Sequence, residues 1–204
     1  MTITLHKGDL SNEVNFSGSV AIDTETMGLN PNRDRLCLVQ LSGGDGNAHL
    51  VQITKGQDEA PNLKKLLEDQ SLIKIFHYAR FDVAVLKKYL DADVAPSYCT
   101  KIASKLVRTY TDRHGLKDLT RELLAIDISK QQQSSNWGAE ELSPAQLEYA
   151  ASDVYHLHKL MDKLNRMLAT SGRTEMAQKC FGFIPTRCAL DLEGWESTDI
   201  FAHS

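Results

Sequence analysis

Four short apolar runs, "TITLH", "SVAID", "LCLVQLS" and "AHLVQI", follow one another at the start of the chain, each closed by turn residues. Runs this short and this punctuated fit strands rather than helices. The "SGGDGN" between the third and fourth reads as a hairpin connection. "PNLKKLLED" opens with proline at a helix start, "LIKIFH" is a further strand, and "ARFDVAVLKKYL" is a helix. Helices follow at "KIASKLVRTY" and "GLKDLTRELLA", and "KQQQSSNWG" interrupts them as a polar loop. The longest periodic segment runs from about Ser143 to Leu168, with Ser143 as N-cap and Pro144 at the first helical position. Strands early and helices late predict an α/β domain: a mixed five-stranded sheet flanked by helices.

The 204 residues suit one compact domain with a short appendage. We expect that domain over residues 1–170. The remainder, 171–204, reads as an arm whose Phe181, Phe183, Trp195 and Phe201 pack on the core or on a neighbouring subunit. A hydrophobic fraction of 42% and a charged fraction of 25% are ordinary for a soluble protein. "MTITLHKGDL" lacks the basic start and apolar core of a signal peptide, and no apolar run could span a bilayer, so the expected setting is cytoplasmic. Cys37, Cys99, Cys180 and Cys188 form no CxxC pair and read as reduced thiols rather than a zinc site. A net charge of −4 argues against coating long nucleic acid by charge alone.

The stretch "SVAIDTETMGL" is unusual chemically. Asp23 and Glu25 are two residues apart, so an extended backbone sends both to one side, where they repel unless a cation lies between them. Asp82, in "FHYARFD", falls in the first turn of a helix, where it also suits the positive end of the helix dipole. Tyr149 and Asp153, in "LEYAASDV", are one helical turn apart on one face, roughly a quarter-turn from the apolar stripe. Taken singly, each acid is explained by a solvated surface.

Taken together, Asp23, Glu25, Asp82, Tyr149 and Asp153 resemble the motif set of the DEDD 3′-5′ exonucleases. "VAIDTETMGL", "GLKDLTRELLAIDISK", "SNW" and "LEYAASDVYHL" look like ribonuclease D across roughly residues 19–165. Tyr149, four residues before Asp153, places the resemblance in the tyrosine (DEDDy) branch; the other branch has a histidine where this chain has Glu148. Full-length ribonuclease D proteins carry helical nucleic-acid-binding domains after the nuclease domain. This chain is more similar to the small stand-alone nano-RNase C type.

That resemblance implies an RNase H-like fold and 3′-5′ exoribonuclease activity on very short RNA, including dinucleotides, with release of nucleoside 5′-monophosphates. It implies two divalent ions, Mg²⁺ or Mn²⁺, held by Asp23, Glu25, Asp82 and Asp153. Asp23 would bridge the ions, Glu25 and Asp153 would complete one site, Asp82 would support the other, and Tyr149 would orient the attacking water. It also implies a ring-shaped homo-oligomer, an octamer. DNA, or structured RNA 3′ ends, remain alternative substrates, and an inactive binding module is a third reading. Leu29 is either core or a wedge between bases, and Met27 would line the same pocket. His77 is either structural or a substrate contact. Lys130 is a candidate phosphate contact, and Trp137 a packing anchor. Lys101, Lys105 and Arg108 form an i, i+4, i+7 stripe that is either a solvated face or an RNA-facing one.

Overall fold

The computed structural model describes residues 2–129, 131–132 and 134–203. Its strands are β1 (Ile3–Lys7), β2 (Ser19–Thr26), β3 (Leu36–Ser42), β4 (Ala48–Gln52), β5 (Ile73–Phe76) and β6 (Ser97–Cys99). They form one sheet in the order β1-β4-β3-β2-β5-β6. β3 runs antiparallel to β2 and β4, whereas β1–β4, β2–β5 and β5–β6 are parallel. The sheet is therefore mixed, as the sequence predicts, but has six strands and not five. The sixth, "SYC", is three residues long and shows no alternation to read.

The helices are α1 (Pro61–Glu68), α2 (Ala79–Leu90), α3 (Thr100–Val107), α4 (Leu116–Leu124), α5 (Pro144–Tyr155), α6 (Leu157–Thr170) and α7 (Thr174–Leu190), followed by a terminal turn at Asp191–Trp195. The α5 start is closed reciprocally: Gln146 N donates to Ser143 Oγ at 3.3 Å, and Ser143 N donates to Gln146 Oε1 at 3.0 Å. This satisfies two donors that a helix start leaves without partners.

Two helical readings are corrected. The segment from Ser143 to Leu168 is two helices, broken at His156 (φ −106°, ψ −5°). No glycine or proline marks the break. It falls where the main packing partners change: α5 lies on β2, β3 and β4, whereas α6 lies chiefly against α3 and α4, with lesser contact to α7, β5 and β2. Arg108 does not continue a basic face. It is the residue that ends α3, and its fully buried side chain turns inward. There it pairs with Glu122 and donates to Ser104 Oγ at 3.0 Å and Arg113 O at 2.7 Å.

Beyond α6 the chain forms α7, which buries Ala177, Phe181, Ile184 and Cys188. It lies against α2, α3, α6 and β6. Gly182 and Pro185 inside it blur the periodicity that would have announced a helix. Trp195 and Phe201 remain exposed. No helix among the described residues is long and apolar enough to cross a membrane.

Candidate active site

β2 lies between β3 and β5 and delivers Asp23 and Glu25, both half-buried, to one cleft. Asp153 arrives from α5, and one oxygen from each of these three carboxylates lies within 4.8 Å of the others. Asp82, from the first turn of α2, lines the same cleft but stands outside that three-oxygen group. It is 3% exposed and accepts a hydrogen bond from Thr24 Oγ1 at 2.7 Å. Tyr149 sits one turn before Asp153, with its ring 6.1 Å from that of Trp137.

Burial and mutual repulsion disfavour negative charge in this cluster. Burial raises Asp23 well above the usual carboxylate range. Burial also raises Glu25, and the charges of Asp23, Asp153 and Asp82 raise it further. Asp82 is raised by burial and then by Asp23. Burial first, then Asp153, Glu25 and Asp23, push the Tyr149 hydroxyl far above its ordinary value, and a hydrogen bond to Asp153 adds to the rise. Hard oxygen donors converging with like charge fit a divalent cation such as Mg²⁺ or Mn²⁺.

The sign of these shifts yields an expected result. Raised carboxyls mean that the metal-free native state keeps protons that the unfolded chain loses near pH 4. Stability contributed by Asp23 and Glu25 is therefore present below that pH and is lost as pH rises through their folded values. Melting temperatures measured in EDTA should fall with rising pH, and saturating Mg²⁺ should flatten the fall. A metal-free profile that rises over this window would contradict the clustering of charge.

The cleft has a volume of about 650 Å³, and Met27, Leu29 and His77 also line it. Leu29 is 87% exposed and Met27 51%, so Leu29 is not a core residue. His77 Nδ1 lies 2.8 Å from Thr100 Oγ1, whose hydroxyl donates to Phe76 O at 3.1 Å. A hydroxyl already donating accepts from the ring, which places a proton on Nδ1. Two glycines permit tight packing beside the cleft. A Cβ on Gly28 would stand 2.3 Å from an Asp34 carboxylate oxygen, and one on Gly138 2.5 Å from Met27 Sδ. Lys130 lies outside the described residues.

Tyr78 is a cleft residue that the sequence does not single out, and Lys101, from the basic stripe read as either solvated or RNA-facing, lines the cleft beside it. Tyr78 precedes α2 with φ +73°, and Lys101 Nζ lies 4.3 Å from the centroid of its ring. No local signal announces a tyrosine in the left-handed region.

A family model described as 3′-5′ exonuclease matches residues 6–169. The chain belongs to this 3′-5′ exonuclease family. Within the family, ribonuclease D of Gluconacetobacter diazotrophicus is 35% identical over 156 residues, covering 76% of this chain and 39% of the relative. The chain thus spans about two-fifths of the length of that curated relative. Brucella melitensis NrnC, solved with bound Mg²⁺, is 59% identical, with each chain covered over 100% and a TM-score of 0.96. The same protein bound to pGG is 60% identical, again with both chains covered over 100%, and superposes with a TM-score of 0.97. The exonuclease is accordingly of the ribonuclease D-like, nano-RNase C type that its motifs resemble, with the RNase H-like fold of that group.

Proposed function

We propose that the chain is a metal-dependent 3′-5′ exoribonuclease that hydrolyses very short RNA, down to dinucleotides, to nucleoside 5′-monophosphates. The observation that carries this reading is the convergence of Asp23, Glu25 and Asp153 beside Tyr149 in one open cleft. Similarity to a nuclease solved with pGG supports the short substrate, and similarity to one solved with Mg²⁺ supports the cation. Asp23, Glu25 and Asp153 would hold one divalent ion, and Asp82 would support a second.

Such ions, when bound, polarise a phosphoryl oxygen and make water a stronger nucleophile. The protein's own residues do the rest. Water adds to phosphorus and the bond to the 3′ oxygen breaks; that oxygen leaves as a hydroxyl after taking a proton from solvent, and the phosphate stays on the 5′ oxygen of the released nucleotide. The Tyr149 hydroxyl stays protonated, so it positions the water by hydrogen bonding rather than removing a proton from it. Leu29 and Met27 offer apolar surface to the terminal bases. Lys101, braced on Tyr78, supplies positive charge at the cleft wall. We further propose that the molecule works as a homo-oligomer, with exposed Trp195 and Phe201 available to a neighbouring copy.

Turnover of 5′-phosphorylated RNAs from two to about twenty nucleotides, with DNA counterparts and an EDTA control, tests the reading. Two- to four-residue RNAs should be fastest, with all hydrolysis lost in EDTA. Rates that climb steadily with length would make it a general exonuclease, and equal rates on DNA would remove the RNA preference.

A further inference from the structure

Gln40 lies in the middle of β3 and is fully buried, at 0% exposure. Neither its carboxamide nitrogen nor its oxygen has a hydrogen-bond partner among the described residues. Burying an amide in that state is costly, and its neighbours Leu38, Val39 and Leu41 show what packing alone selects in this strand. The register supplies a reason for the exception. In the antiparallel pairing of β2 with β3, Asp23 stands directly opposite Gln40. Directly opposed residues share a face of the sheet, with Cβ atoms about 4.5–5.5 Å apart. On its other side Gln40 faces Leu50 of β4, which offers nothing polar. The covering helix α5 buries Ala150, Ala151 and Val154, which are apolar, and Gln146, which already bonds Ser143 and Asn136. Asp23 is the acceptor directly across the ladder, with Glu25 and Gln52 one diagonal step further off; the Gln40 amide and the Asp23 carboxylate are not bonded as the side chains stand, and the flexible Gln40 side chain can close that gap.

We propose that Gln40 is a positioning residue for Asp23: rotation of its unpartnered side chain brings the amide onto one carboxylate oxygen of Asp23 and so holds the other toward the cation. This deepens the reading of Asp23 as a cation ligand and rests on it. Carboxylates that hold metals are themselves held by hydrogen bonds, and losing such a partner commonly costs about 10–100-fold in metal affinity or activity.

Gln40→Met keeps the length of the side chain and removes its polar atoms; Gln40→Leu is a second apolar variant should methionine pack badly. The measurement is the melting temperature of each protein across a Mn²⁺ titration, with kcat and KM on a 5′-phosphorylated dinucleotide beside it. The expected result is a metal-free protein at least as stable as the parent, a Mn²⁺ midpoint raised about tenfold, and a lower kcat at similar KM. A merely structural glutamine would change the metal-free melting temperature and leave the Mn²⁺ midpoint alone, and that outcome in a folded variant overturns the proposal. A parent protein with no Mn²⁺ response overturns the cation reading of Asp23 itself.

Discussion

Asp23→Asn and Asp153→Asn should each lower dinucleotide turnover by on the order of 10³-fold while raising the melting temperature of the metal-free protein. Both effects have one cause. Asp23, Glu25 and Asp153 bring oxygens within 4.8 Å of one another, and burial already disfavours the charge of Asp23 and Glu25. Neutralising one relieves repulsion in the empty site and removes an anionic ligand from the loaded one. Asparagine is close in shape to aspartate, so the fold is not disturbed by volume. The test pairs melting curves in EDTA with turnover at saturating Mg²⁺. Near-parental turnover in both variants would sink the assignment of this cluster to metal-dependent hydrolysis.

Tyr149→Phe should reduce kcat by roughly 10²-fold, the scale on which misplacement of a reacting group acts, with KM changed far less. The phenol ring packs near Trp137 and would still do so as phenylalanine; only the hydroxyl is lost. The pH profile adds a second reading. Because burial and the surrounding carboxylates keep Tyr149 protonated, turnover of the parent should show no loss attributable to its ionisation across the neutral range. Unchanged kcat with raised KM in the variant would make Tyr149 a substrate-binding residue instead.

The short, punctuated apolar runs made most of the sheet readable, because β2 and β3 each bury consecutive apolar residues between turn residues. β6 was not readable, because three residues carry no period. The carboxylates were readable for a different reason: acids at a strand end and on one face of a helix are chemically out of place, and their order matches a known motif set. What decides their roles was not readable. The Thr24 hydroxyl on Asp82 depends on how β2 meets α2, a contact 58 positions apart. Leu29 could be core or cleft until the loop closed by Asp34 set it outward. Arg108 looked like a surface charge because helical spacing cannot show that the chain turns inward at the end of α3. Gln40 reads as an ordinary strand residue until register places it across from Asp23.

The segment after Gly172 takes on a different meaning once its partners are known. Asp191 receives two hydrogen bonds from Arg80, at 2.5 and 2.7 Å, and Arg187 grips the same carboxylate at 2.6 Å. Arg80 stands two residues before Asp82, and Cys188 of α7 donates its thiol to the Arg80 carbonyl at 3.2 Å. The tail is thus a splint on the turn of α2 that seats Asp82. In genetic terms, a stop codon placed after every acidic motif would spare all five motif residues and still strip α2 of its buttress. Trimming therefore cannot separate a role in assembly from a role in catalysis, whereas substitutions confined to exposed Trp195 or Phe201 leave the splint in place.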